Sequence, residues 1–149
     1  MKTVYLDNAA TSWPKPETVL EAMNSFYRET GANPGRSGHS MSIDAGRAVF
    51  SARKKAASFF GAADPLNVIF TKNATEALNI AAQGLLVSGD HVIVSGFEHN
   101  AIMRPLRYLE GLGLSITVLP SSADYGTDPD DLKRVLRKDT KAVYCMHAS

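Results

Sequence analysis

Four short stretches hold the residue types that can do chemistry. In FTKNATEALN, residues 70–79, an apolar run gives way to Asn73, with Glu76 three places on. That spacing starts a helix, because each of the two side chains can close a backbone N–H of the first turn. The N–H groups left open, with the Thr75 hydroxyl beside them, make a site for an anion such as phosphate. A well-capped helix with nothing bound has the same sequence, and the glycine-rich dinucleotide and P-loop fingerprints are absent. In SGFEHNAIM, residues 95–103, His99 can lie flat on an aromatic cofactor ring or relay a proton near neutral pH. A plain surface-loop histidine is the alternative, and Glu98 reads as a helix-start carboxylate rather than an acid catalyst.

NPGRSGH, residues 33–39, sets Arg36 and His39 among glycines, where they can grip a carboxylate or simply belong to a connection between two helices. YLDNAATSWPKP fits a tight turn or a pocket lining equally well. Lys72 reads as a surface lysine. Cys145, the single thiol, lies within VYCM and reads as an inert buried strand residue. Cys145 and His147 alternate onto one strand face, but two such groups without further spaced partners do not make a metal site, and no metal is expected.

These residues must be held by regular elements. After WPKPE, Val19, Leu20, Met23, Phe26 and Tyr27 recur at helical spacing. A second helix is predicted over 42–60, with Ala45, Val49, Ala52, Ala56 and Phe59 on its apolar stripe. From residue 67 strands and helices alternate: NVIFT, then ATEALNIAAQGLL, HVIVS, AIMRPLRYLEGL, LSITVL, DPDDLKRVLR and AVYCMH. The pattern predicts an α/β fold in three layers, a mostly parallel sheet with helices on both faces. Ligands of such sheets bind beyond the carboxyl ends of the strands, where the first two stretches lie.

The chain has 149 residues, enough for one domain with a substantial core. Sixteen basic and 15 acidic residues give a net charge of +1, with no basic run, so nothing speaks for nucleic acid. No apolar signal core or membrane-length stretch occurs, and a cytoplasmic protein is expected.

In their order and spacing, YLDNAATSWPKP, NPGRSGH, TKNATEALN and FEHNA resemble the N-terminal part of class V pyridoxal-phosphate enzymes, the cysteine desulfurase and selenocysteine lyase relatives. The resemblance covers the whole chain and implies an incomplete large domain of the aspartate-aminotransferase-like fold over 15–149, with 1–14 as an N-terminal segment near the active site. It implies that Ala74 and Thr75 hold the phosphate of pyridoxal 5'-phosphate. His99 would stack on the pyridine ring and, in desulfurases, assist proton transfer. Asn33, Arg36 and His39 would border the active site.

The parent reaction implied is conversion of L-cysteine to L-alanine with sulfur left on the enzyme, carried out by a homodimer. In the relatives MHASN runs on into an asparagine-containing loop, whereas this chain stops at Ser149. The aspartate that pairs with the pyridine nitrogen, the Schiff-base lysine and the sulfur-attacking cysteine have no matching positions. The expectation is therefore the front portion of a longer enzyme, inactive alone, binding the cofactor without a covalent bond at best. Its uncovered apolar surface should favour self-association. Two rivals stand beside it: a non-catalytic binding or dimerisation module, and part of an aminotransferase or lyase acting on another amino acid.

Overall fold

Glu17–Glu29 forms the first helix, α1, which starts directly after Pro16 and follows the predicted apolar spacing. The computed structural model describes residues 4–35 and 38–147. Two compact units make up the chain, Met1–Phe70 and Thr71–Ser149. No helix among the described residues is long and apolar enough to cross a membrane.

In the first unit the opening segment is a tight turn. The Asp7 carbonyl accepts from the Ala10 and Thr11 amides, and the Tyr5 hydroxyl donates to the Asp7 and Thr11 carbonyls. Helix α2 spans Ser40–Phe60 and ends at Gly61, whose φ of 69° is the left-handed conformation that glycine adopts without a Cβ clash. The Ala62 amide then closes back onto the Ala57 carbonyl. Burial in α2 falls on Ser42, Ala45 and Ala57, not on the whole predicted stripe, and Phe59 is 82% exposed. None of the residues of α1 is buried.

The stretch NVIFT is not a strand. A single 3-10 turn, Pro65–Asn67, takes in its first residue, and Val68 is extended but unpaired. Ile69 is 76% exposed. An apolar β-branched run favours extended backbone, yet a strand also needs a neighbour to accept its hydrogen bonds, and no described residue pairs with it.

The second unit holds α3 (Ala74–Leu85), β1 (His91–Val94), α4 (Asn100–Glu110), β2 (Ser115–Val118), the short strands β3 (Ser121–Ser122) and β4 (Gly126–Thr127), α5 (Pro129–Val135) and β5 (Thr140–Tyr144). The main sheet runs β2-β1-β5, all parallel, as the strand–helix alternation requires. β3 and β4 pair antiparallel as a small hairpin absent from the sequence expectation. Strand β1 is central and wholly buried. Val92 and Val94 pack with Ala82 of α3, Leu86 just past its end, Ile102 and Leu106 of α4, and Leu114. This core is what fixes α3 and α4 side by side. In β5 exposed Lys141 and Val143 alternate with half-buried neighbours.

Candidate cofactor site at the starts of helices α3 and α4

Helix α3 begins as its sequence dictates. Asn73 Oδ1 accepts from the Glu76 amide at 2.9 Å. Glu76 reaches one residue further back than a capping box requires, its Oε2 accepting from the Lys72 amide at 2.9 Å. The Ala74 and Thr75 amides have no acceptor among the described residues, which is the usual condition of a helix N-terminus.

Helix α4 is capped by a histidine. His99 Nδ1 accepts from the Ala101 amide at 3.0 Å. A nitrogen that accepts a hydrogen bond carries no proton, so Nδ1 is the unprotonated ring nitrogen and the ring proton is on Nε2. Thr75 and His99 line one cavity of about 540 Å3, with Asn79 and Gln83 on α3 and Arg104 and Tyr108 on α4. That volume falls in the range of small-molecule sites. Pyridoxal phosphate fits this donor set: the Thr75 amide and hydroxyl for an anion on one wall, with the Ala74 amide next in the chain, and an exposed imidazole on the other. Among the described residues no lysine and no cysteine lines it.

Asn79 was not singled out by the sequence. Pro105 has no N–H, so the Ala101 carbonyl lacks its helical donor. The Asn79 side-chain amide supplies one at 3.4 Å and also donates to the Thr75 carbonyl at 2.9 Å. The available signal was a proline in mid-helix together with an asparagine four residues after Thr75.

Three sequence expectations need correction. Glu98 does not serve the start of α4: its Oε1 accepts from Ser95 Oγ at 2.5 Å and from the Met146 amide at 2.6 Å. Cys145 is exposed and lies past the end of β5, so it is not a buried strand residue. His147 is also beyond the strand and exposed, and the two do not share a strand face. Both misplacements come from extending the apolar run AVYCM past Tyr144, where ladder pairing stops.

In the first unit Asn33 and His39 meet at the start of α2. His39 Nδ1 accepts from the Ser42 amide at 3.2 Å, and Ser42 Oγ donates to the Asn33 carbonyl at 2.9 Å. His39 is therefore a helix cap of the same kind as His99. Arg36 lies outside the described residues.

The family model described as aminotransferase class-V matches residues 4–149. The chain belongs to the class-V aminotransferase family. Among curated relatives, this class-V chain is 42% identical over 152 residues to cysteine desulfurase IscS of Dictyoglomus turgidum, covering 99% of this chain and 38% of the relative. A probable cysteine desulfurase of Methanothermobacter thermautotrophicus is 35% identical, with 98% and 36% covered. Among solved structures, the apo cysteine desulfurase of Thermococcus onnurineus superposes with a TM-score of 0.87 at 33% identity, over 98% of this chain and 37% of that one. A structure described as SspA in complex with cysteine gives 0.84 at 29% identity, over 99% and 43%. The class-V chain thus spans little more than a third of the length of the curated relatives quoted. The fold expected from the resemblance, a mostly parallel sheet flanked by helices in a partial aminotransferase-like domain, is the one observed.

Proposed function

We propose that this chain supplies the phosphate-binding and ring-binding side of a pyridoxal 5'-phosphate site, in a protein that acts on amino acids and removes sulfur from L-cysteine to give L-alanine. The observation that carries this reading is the shared cavity of Thr75 and His99, in a chain whose relatives are described as cysteine desulfurases. The phosphate belongs at the Ala74 and Thr75 amides and the Thr75 hydroxyl, where the α3 dipole favours negative charge. When bound, the coenzyme supplies an electron sink for the bonds of an amino acid. His99 offers a ring face and holds or moves a proton at Nε2, because Nδ1 is engaged by the Ala101 amide. Asn79 keeps the two helix starts in register.

By the resemblance, Asn33, Arg36 and His39 are assigned to a loop for the substrate carboxylate, and residues 1–14 to an N-terminal segment near the active site. No described lysine or cysteine lines the cavity, which supports the reading that these 149 residues hold the cofactor without a covalent bond and do not turn over cysteine unaided. Self-association, and a homodimer for the parent, is supported by the exposed Val19, Leu20, Met23 and Tyr27 of α1 and by exposed Phe59 and Phe60. A cytoplasmic location is part of the same proposal.

Titration of the purified chain with pyridoxal phosphate, followed by visible absorbance and fluorescence, tests the assignment. Saturable binding is expected, weakened at least about tenfold by Thr75→Ala and again by His99→Ala. Binding that persists unchanged in the double variant would show that the cofactor has been placed wrongly.

A further inference from the structure

We propose that Glu98 is a positioning residue, fastening the loop that carries His99 to the chain leaving β5. This rests on the reading that His99 faces the cofactor. The main-chain ladder between β1 and β5 continues one residue past β1, where the Ser95 amide donates to the Tyr144 carbonyl at 3.0 Å. Ser95 is 3% exposed, whereas Gly96 and Phe97 after it are exposed. At that point the carboxylate takes over from the ladder. Glu98 turns back so that a single oxygen accepts both the Ser95 hydroxyl and the Met146 amide.

Hydrogen bonds to an ionised acceptor are shorter and stronger than neutral ones. Among the described residues no cation pairs with Glu98, so these two neutral donors are its partners and the contact is not a surface ion pair. His99 follows at once, and its ring is held from the other side by the Ala101 amide. The attitude of the imidazole is therefore set by two anchors, the α4 start and the Glu98 tether.

The test compares Glu98→Ala, Glu98→Gln and the unaltered 149-residue chain by two measurements. Amide hydrogen exchange, with no cofactor present, should show Met146 and Ala101 exchanging at least about tenfold faster in Glu98→Ala while Ile93 is unchanged. Glu98→Gln should restore most of the protection, since its amide oxygen can accept the same two bonds. Titration with pyridoxal phosphate should show loss of the induced visible circular dichroism in Glu98→Ala, with affinity down about tenfold, and retention of both in Glu98→Gln.

Unchanged Met146 and Ala101 exchange in Glu98→Ala overturns the tether. Faster exchange with unaltered cofactor affinity and dichroism overturns the positioning role. Absence of cofactor binding by the unaltered chain counts against the proposed function instead, and exchange alone then decides the tether.

Discussion

The Asn79 side-chain amide donates to the Ala101 carbonyl of the neighbouring helix, at the position where Pro105 has removed the helical donor. A defect in one helix is thereby turned into a bond between two. Because the same nitrogen also reaches the Thr75 carbonyl, the join lies within one turn of both helix starts that border the cavity.

Removing Asn79 leaves the Ala101 carbonyl without its protein donor, and Asn79→Ala is expected to cost about 1–3 kcal/mol. In a Pro105→Ala background residue 105 regains its N–H, so the same substitution should cost less than about half as much. Urea unfolding of the four proteins measures the difference. Equal costs in the two backgrounds would refute the link.

Loss of the Asn73 cap frees the Glu76 amide. Asn73→Ala should destabilise the chain by about 1 kcal/mol, while Asn73→Asp should retain the cap. Thermal unfolding of the two variants side by side checks this, and a full loss in Asn73→Asp would mean that the side-chain bond is not what matters.

His91 stands at the amino end of β1, with Nδ1 2.8 Å from Thr140 Oγ1 and Nε2 2.9 Å from Thr117 Oγ1, so one buried ring bridges all three strands. Thr140 Oγ1 also accepts the Arg137 amide, which leaves its own hydrogen for Nδ1. Burial first, and then the Arg137 guanidinium, hold the imidazole below its ordinary value of 6.5, with Asp139 opposing them. The unfolded chain therefore binds this proton more tightly. Stability from neutral His91 is intact above about pH 6.5 and is lost as pH falls below it toward the folded value. Between about pH 7.5 and about pH 5.5 the melting temperature should drop about 2–4 °C more for the native chain than for His91→Gln. Parallel melting profiles would dismiss the effect.

At Gly96 a Cβ would stand 2.9 Å from Ser121 Cβ and 3.2 Å from the Leu119 carbonyl oxygen, and the Gly96 amide donates to Ser121 Oγ at 2.9 Å. Gly96→Ala is expected to cost about 1–3 kcal/mol. Adding Ser121→Gly should recover part of this, because only the carbonyl contact then remains. No recovery in the double variant would point to a different cause.

What the sequence made legible follows the range of the forces involved. Helix starts at Asn73 and Asp128 are local hydrogen bonds between neighbours in the chain, and both appear where the residue pattern puts them. The parallel order of the sheet follows from alternating elements, since parallel strands need crossovers. Val68 to Thr71 failed because pairing depends on a partner far away in sequence. The outward turn of Cys145 failed for the same reason. Glu98 sits one residue before a helix cap, and only the folded chain brings the Met146 amide to it from 48 positions away. His99 and His39 acting as caps was not foreseen either, because histidine is outside the usual set of capping residues.

The exposed thiol of Cys145 has a practical use. It is the single cysteine of the chain, and it immediately precedes the amide gripped by Glu98. A spin label or fluorophore attached there needs no engineered background, and it would report on the junction itself as that grip tightens or lets go.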